Sequence, residues 1–135
     1  MLTMARLIAA VAMAATFAAC SGVSSPSTQT QEDFTGTLDP GGQASKAFSV
    51  SKTSEMSMTL VSLSPRPVLG FLGLAVGTPV GTSCSPYGAY VVAQAAVGQN
   101  YALGQLVKGS YCVLVIDANG ILTAPASFTI RIVHS

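Results

Sequence analysis

Apolar and polar residues alternate along most of the chain beyond residue 31. This period of two is typical of half-buried β-strands, whose successive side chains point to opposite faces of a sheet. The residues expected to face inward recur in short runs: Phe34, Gly36 and Leu38; Phe48 and Val50; Met56, Met58 and Leu60; Phe128, Ile130 and Ile132. Turn-forming sequences such as Asp39–Gly42 and Asp117–Gly120 separate such runs at intervals of roughly ten residues. The pattern therefore predicts an all-β domain of about eight strands, arranged as an antiparallel sandwich or barrel.

Two further segments are apolar without strict alternation. Tyr111–Ile116 is apolar on both faces, which is typical of a strand at the centre of a sandwich. Val68–Val80 is interrupted by glycines and predicts a buried strand with bends where backbones approach closely. It is too short for a membrane span, and no Gly-Lys-Ser/Thr sequence closes it as a phosphate loop. Ala93–Val97 has the composition of a helical turn, but Gly88 and Gly98 limit it to little more.

The first nineteen residues have the plan of a secretory signal. A short start with Arg6 as its only charge is followed by the apolar run Leu7–Ala15 and then by small residues. The apolar run is shorter than the ~20 residues that a transmembrane helix needs. Residues 1–19 are therefore predicted to be an export signal.

The end of this signal, Phe17-Ala18-Ala19-Cys20, resembles the bacterial lipobox, although Phe17 stands where Leu is usual. The resemblance implies cleavage before Cys20 and attachment of acyl chains, palmitate among them, to that residue. Several acyl chains suffice for stable membrane anchoring, because each buried CH₂ contributes ~0.8 kcal/mol. Ser21 in place of Asp favours the outer membrane by analogy with enteric bacteria. The alternative is ordinary cleavage near Ala12-Met13-Ala14, which leaves Cys20 free.

Residues 20–31 join the signal to the domain. After Cys20 the segment is rich in Ser, Thr and Gln and has almost nothing to bury, which is typical of a flexible tether. Eleven such residues span on the order of 18 Å as a random coil, enough to hold a domain clear of lipid headgroups. The domain itself is predicted to extend over residues 32–135.

The chain has three cysteines, an odd number for an exported protein. If Cys20 carries lipid, Cys84 and Cys112 remain, and an oxidising compartment favours a disulfide between them. Such a bond limits the freedom of the unfolded chain by ~3–4 kcal/mol in the chain-entropy model. The alternative, a metal site, lacks ligands, because a closed zinc site needs four Cys or His residues and His134 is the only histidine. We therefore expect no metal.

Charged residues make up only 8% of the chain, and the net charge is +1. This balance offers no basic surface for a phosphate backbone, so nucleic acid is not an expected partner. Of the five acidic residues, two adjoin the tether and two lie in turn-like sequences, and no catalytic pair is evident. Asp117 and Asn119 have part of the spacing of a calcium loop, but no downstream Glu completes it. We expect neither catalytic residues nor a cofactor.

Three tyrosines are candidates for a contact site. Tyr87 and Tyr90 are expected in a loop after Ser85-Pro86, and Tyr101 follows Gln99-Asn100. Exposed tyrosines bury a large area at low entropic cost when they bind a partner. The alternative is that these rings only cap the edge of the sandwich.

The segment Asp33–His134 resembles the bacterial pre-peptidase C-terminal (PPC-like) domain. The residues that carry the resemblance are Phe34–Leu38 before a glycine turn, Phe48-Ser49-Val50, Gly109–Val115 and Phe128–Ile132. The resemblance implies a secreted, jelly-roll-like β-sandwich, commonly appended to extracellular hydrolases and without catalytic residues of its own. This sequence differs in having the domain directly after a lipobox, with no enzyme attached.

These features together predict a non-enzymatic protein of the bacterial cell envelope. It is held to the membrane through lipid on Cys20, with the outer membrane favoured and the domain in the periplasm or at the cell surface. Its sandwich is expected to bind or organise another envelope component, a protein or a glycan. The alternative is a carbohydrate- or protein-binding accessory module that serves a secreted hydrolase.

Overall fold

The computed structural model describes residues 28–135, and eight β-strands account for most of this part of the chain. Within it, no helix is long and apolar enough to cross a membrane. The strands are β1 (Thr30–Leu38), β2 (Gln43–Val50), β3 (Ser54–Ser64), β4 (Phe71–Val80), β5 (Ser83–Ala96), β6 (Asn100–Leu106), β7 (Gly109–Ile116) and β8 (Ala126–His134).

The strands form two four-stranded antiparallel sheets that pack face to face. Sheet A has the order β1-β8-β3-β6, and sheet B has the order β2-β7-β4-β5. With one exception, the β4–β5 hairpin, consecutive strands lie in opposite sheets. This order, in which the chain passes back and forth between the two sheets and forms two Greek keys, is the jelly-roll arrangement. The predicted all-β, jelly-roll-like sandwich of about eight strands is confirmed.

The core lies between the sheets and follows the alternation of the sequence. Met56, Met58 and Leu60 of β3 are buried, as are Phe128 and the isoleucines of β8. Strand β7 lies between β2 and β4 in sheet B, and its residues 111–115 are buried in succession, on both faces of the sheet. The predicted inward faces and the predicted central strand are therefore confirmed.

Three local expectations differ from the structure. Val68 and Leu69 lie exposed in the turn before β4, because prolines end β3 and Gly70 turns the chain with a φ of 65°. Ala93–Val97 forms no helical turn, since β5 continues to Ala96 and pairs there with Phe71. Strand β1 begins at Thr30, so the last two residues of the predicted tether belong to sheet A.

The sandwich has two ends with different loops. At the basal end, where β1 begins, lie the loops 51–53, 81–82 and 107–108. Residues from both sheets meet there: Thr30 pairs with His134, and the backbone N–H of Ser51 donates to the carbonyl of Ser135 at 2.8 Å. At the apical end lie the loops 39–42, 65–70, 97–99 and 117–125. The N-terminal segment therefore joins the domain at the basal end.

The predicted disulfide joins Cys84 of β5 to Cys112 of β7, with 5.7 Å between their Cα atoms. These two strands flank β4, so the bond passes over Gly77. A Cβ at this glycine would lie 1.9 Å from the backbone oxygen of Ser85. The absence of a side chain at Gly77 is therefore what allows β5 to approach closely enough for the disulfide.

Candidate functional site

An open groove of about 330 Å³ runs along one side of the sandwich, between the edge strand of each sheet. One wall comes from β5 and the other from the end of β6 and the turn into β7. Three tyrosines and three aliphatic residues dominate its lining, which comprises Tyr87, Ala89, Tyr90, Gln105, Leu106, Val107 and Tyr111. This size lies at the lower end of the range of small-ligand sites. We call it the tyrosine groove.

Tyr87 and Tyr90 enter the groove from an irregular part of β5. Ala75 pairs with Val91 and Gly77 pairs with Pro86, so four residues of β5 lie between partners only two positions apart on β4. One β4 residue, Val76, lies opposite these four, so β5 has three extra residues here, and residues 87–90 leave the regular ladder. Tyr87 is 40% exposed, whereas Tyr90 is partly buried against the core. The rings pack edge to face, with their centroids 6.1 Å apart. The expected loop is thus replaced by an irregular strand segment, because residues on both sides of it pair with β4.

The hydroxyl groups of the groove tyrosines are already committed to the protein. Tyr90 donates to the carbonyl of Gln105 at 2.9 Å, and Tyr111 donates to the carbonyl of Val107 at 2.9 Å. The Tyr87 hydroxyl is hydrogen-bonded to the side chain of Thr78. These bonds fix the orientation of the rings, so a ligand would meet rigid aromatic and aliphatic surface.

The third predicted contact residue, Tyr101, lies outside this groove. Its hydroxyl accepts a hydrogen bond from the backbone N–H of Ala96 at 2.8 Å and so supports the turn between β5 and β6. The third tyrosine of the groove is instead Tyr111, which is 8% exposed and belongs to the buried core. The sequence carries no local signal for this role, because Tyr111 reaches the groove beside the turn from β6 to β7, where its hydroxyl donates to the carbonyl of Val107.

Both walls of the tyrosine groove are sheet edges. In the described residues, β5 pairs along its length only with β4, and β6 pairs only with β3. Pro86 and the extra residues interrupt β5, and a register shift beside Gly104, whose φ is 97°, interrupts β6. Such irregularities prevent indiscriminate pairing of edge strands.

A second concavity, of about 310 Å³, lies on the outer face of sheet B. Its floor is formed by Ala75, Leu114 and Ile116, and Val91 and Pro86 form one side. It is almost entirely aliphatic, and Asn119 is the polar side chain at its margin. This second concavity has no aromatic ring in its lining, so it offers fewer means of recognition than the tyrosine groove.

His134 lies at the side of the sandwich opposite the tyrosine groove, near the edge strands β1 and β2. His134 is 3% exposed and packs on the ring of Phe48 with centroids 5.1 Å apart. Its Nε2 atom lies 2.8 Å from Oε1 of Glu32, whose other oxygen lies 3.6 Å from Nζ of Lys46. These contacts link β8 and β1 of sheet A to β2 of sheet B, and the pairing of β8 with β1 gives His134 an ordered position.

Asp117, the candidate for a calcium loop, is buried at the apical end with its carboxylate surrounded by donors. It accepts hydrogen bonds from the backbone N–H groups of Gly41 at 2.9 Å, Ile121 at 2.8 Å and Leu122 at 3.1 Å. Burial raises the pKa of this carboxyl, but these bonds together outweigh burial and hold the pKa below its ordinary value. N–H donors occupy the oxygens that a cation would need, so the loop does not fit calcium.

No group of three or more His, Cys, Asp or Glu side chains in residues 28–135 could hold a metal ion. The predicted signal peptide and Cys20, the predicted lipidation residue, lie outside the described residues.

No family model matches the chain, and no curated protein is similar to it at a significant level. The PPC-like resemblance therefore stays a prediction.

Proposed function

We propose that this protein is a non-enzymatic, lipid-anchored domain of the cell envelope that binds an extended segment of another envelope protein. The observation that carries the proposal is the tyrosine groove, in which fixed aromatic rings lie between two sheet edges. Aromatic residues in a concave, apolar setting are the usual anchors of protein recognition. The anchor is Cys20, and the outer membrane is the favoured location.

The chemistry of the groove favours a peptide over a sugar. Sugar recognition needs polar groups beside an aromatic platform, but the hydroxyls of Tyr87, Tyr90 and Tyr111 are hydrogen-bonded within the protein. Gln105 is the remaining polar side chain of the lining. An extended peptide, by contrast, can pair its backbone with an edge strand and place alternate side chains in the groove.

The titratable groups of the described residues support a binding role. His134 contacts Glu32 inside the sandwich, and Asp117 is surrounded by backbone donors. Asp33 is held by Arg131 through two hydrogen bonds of 2.9 and 3.0 Å on the outside of sheet A. Each of these groups has a structural partner, and none of them lines the tyrosine groove.

Site-specific photo-crosslinking in the cell envelope tests the groove. A photoreactive residue at Ala89, which lines the groove, should capture a discrete protein, whereas one at Ala47, exposed on β2, should not. Replacing Tyr87 and Tyr90 with Ala should lower affinity for that protein by about thirtyfold, the loss of one good anchor. Tyr101→Ala is the matched control, because it removes a tyrosine outside the groove.

Two outcomes would overturn this proposal. Equal capture from Ala89 and Ala47 would show that the groove is not the contact site. A glycan-array signal that is lost in Tyr87→Ala and Tyr90→Ala would instead identify a carbohydrate-binding accessory module.

The anchor is tested separately by Cys20→Ser. This substitution should abolish fatty-acid labelling and move the protein from the membrane fraction to the soluble fraction. Unchanged labelling and fractionation would contradict lipidation at Cys20.

A further inference from the structure

The basal end of the sandwich is the end from which the chain leads back toward Cys20. Cys20 and Thr30 are ten positions apart in the sequence, and Thr30 is the first residue of β1. A chain of ten residues spans about 17 Å as a coil and at most about 35 Å when fully extended. A lipid on Cys20 therefore keeps the basal end within a short distance of the bilayer surface.

The same connection keeps the apical end away from the membrane. Strand β1 contains nine residues and runs the length of the sandwich, which corresponds to about 27 Å between its first and last Cα atoms. Bringing the apical end to the surface would require the connecting chain to run back along that whole length, close to its maximum extension. Loss of chain entropy opposes such an arrangement. The basal end is therefore the one that meets lipid.

The surface of the basal end suits this position. Val80, the last residue of β4, is 59% exposed, and Val107, in the loop 107–108, is 62% exposed. Lys52 and Lys108 lie exposed in loops of the same end. Among nearby carboxylates, Glu32 contacts Lys46 and His134, and Glu55 lies on the outer face of sheet A rather than in a loop. Exposed aliphatic tips beside lysines are the features by which protein surfaces contact anionic membranes.

We propose that the basal end docks on the surface of an anionic lipid bilayer through Val80, Val107, Lys52 and Lys108. This inference rests on the proposed lipid anchor, which supplies the proximity, and adds a second, reversible contact. Docking orients the sandwich with β1 rising from the membrane and the apical loops facing away. The tyrosine groove then opens sideways, with Val107 at its membrane-side rim.

A pair of tryptophan reporters tests the orientation. The chain contains no Trp, so Val80→Trp at the basal end and Val68→Trp at the apical end each introduce a single fluorophore at an exposed valine. The processed lipoprotein is purified from bacterial membranes and reconstituted into vesicles of phosphatidylglycerol and brominated phosphatidylcholine. Brominated lipid should quench Val80→Trp strongly and shift its emission to the blue, while Val68→Trp should remain unquenched.

A charge test uses the same reporter. Changing Lys52 and Lys108 together to Gln in the Val80→Trp protein should lower the ratio of docked to undocked protein by up to about thirtyfold. The reason is that each lysine near an anionic surface contributes ~1 kcal/mol. Arg66→Gln, at the apical end, is the matched control and should leave quenching unchanged. Raising the salt concentration should reproduce the effect of the lysine substitutions.

The possible failures are distinguishable. Protein that does not float with vesicles contradicts the lipid anchor and, with it, the docking inference. Protein that floats, but in which Val80→Trp is quenched no more than Val68→Trp, contradicts docking and leaves the anchor intact. Quenching that does not respond to Lys52→Gln with Lys108→Gln contradicts the role assigned to the lysines.

Discussion

At the scale of the single residue, Asp117 shows how a chain with few charges uses a buried carboxylate. It is 2% exposed, and it ties the loop 39–42 to the loop 117–125 by accepting from the backbone of both. Four N–H groups, those of Gly41, Gly120, Ile121 and Leu122, lower its pKa against the opposing effect of burial. The carboxylate therefore accepts hydrogen bonds from backbone N–H groups of both loops, as backbone carbonyls do in regular secondary structure.

We expect Asp117→Asn to lower the free energy of unfolding by about 2–3 kcal/mol, since an amide offers one acceptor oxygen in place of two. The folded pKa of Asp117 lies below its unfolded value. Its contribution to stability is therefore fully present above the unfolded pKa of ~3.9, and is lost as the pH falls through the folded pKa. Denaturation series between pH 2 and 7 should accordingly show the difference from the original protein shrinking at acid pH.

Asp39→Asn provides the control for this measurement. Asp39 is exposed in the same apical region, and a substitution there should change stability by less than ~0.5 kcal/mol. The free energies of unfolding of Asp117→Asn and the original protein should converge toward pH 2. An undiminished difference at that pH would contradict the role assigned to the carboxylate.

At the scale of the element, the approach of β5 to β4 has the greatest consequence for the site. The lack of a side chain at Gly77 allows β5 to pass close to β4, beside the disulfide. The irregular segment 87–90, which contains Tyr87 and Tyr90, follows directly along β5. The disulfide and the tyrosine groove thus depend on the same irregular pairing of β4 with β5.

Gly77→Ala should consequently disturb both features. Its Cβ meets backbone rather than a movable side chain, so we expect a loss of about 3 kcal/mol of stability and a lower melting temperature by roughly 15 °C. We also expect an increased fraction of free thiol at Cys84 and Cys112, measured by thiol labelling after denaturation. Gly88→Ala is the matched control, because a Cβ there would meet no atom within 4 Å. Equal behaviour of the two variants would refute the requirement for glycine at position 77.

The same strand pair explains what the sequence could predict and what it could not. Alternation identified the inward faces of β3 and β8 because side-chain direction in a strand depends only on position parity. It could not locate the extra residues of β5, since a register shift is settled by the partner strand and by the glycine that lets it approach. Tyr87 and Tyr90 were therefore found as candidates but assigned to a loop. Tyr111 is buried in the core, and its contribution to the groove was not predicted.

At the scale of the whole molecule, the jelly-roll order makes the two sheets depend on each other. Sheet A takes its strands from the first, third, sixth and eighth positions in the chain, so neither sheet is a continuous segment. Strand β8 lies between β1 and β3, which means that sheet A forms only when distant parts of the chain have come together. The apolar core is shared between the sheets, so loss of one exposes the inner face of the other.

This dependence predicts that removing the disulfide from sheet B weakens sheet A by the same amount. A double substitution, Cys84→Ala with Cys112→Ala, releases a crosslink between residues 28 positions apart and should cost about 3.5 kcal/mol in the chain-entropy model. Amide hydrogen exchange measures the stability of each sheet separately, at the fully buried residues Val113 of β7 in sheet B and Ile130 of β8 in sheet A. Because both amides are expected to exchange by global unfolding, both should exchange about 300-fold faster in the variant. Acceleration at Val113 without acceleration at Ile130 would show instead that sheet B opens on its own, and that the disulfide stabilises one sheet rather than the whole sandwich.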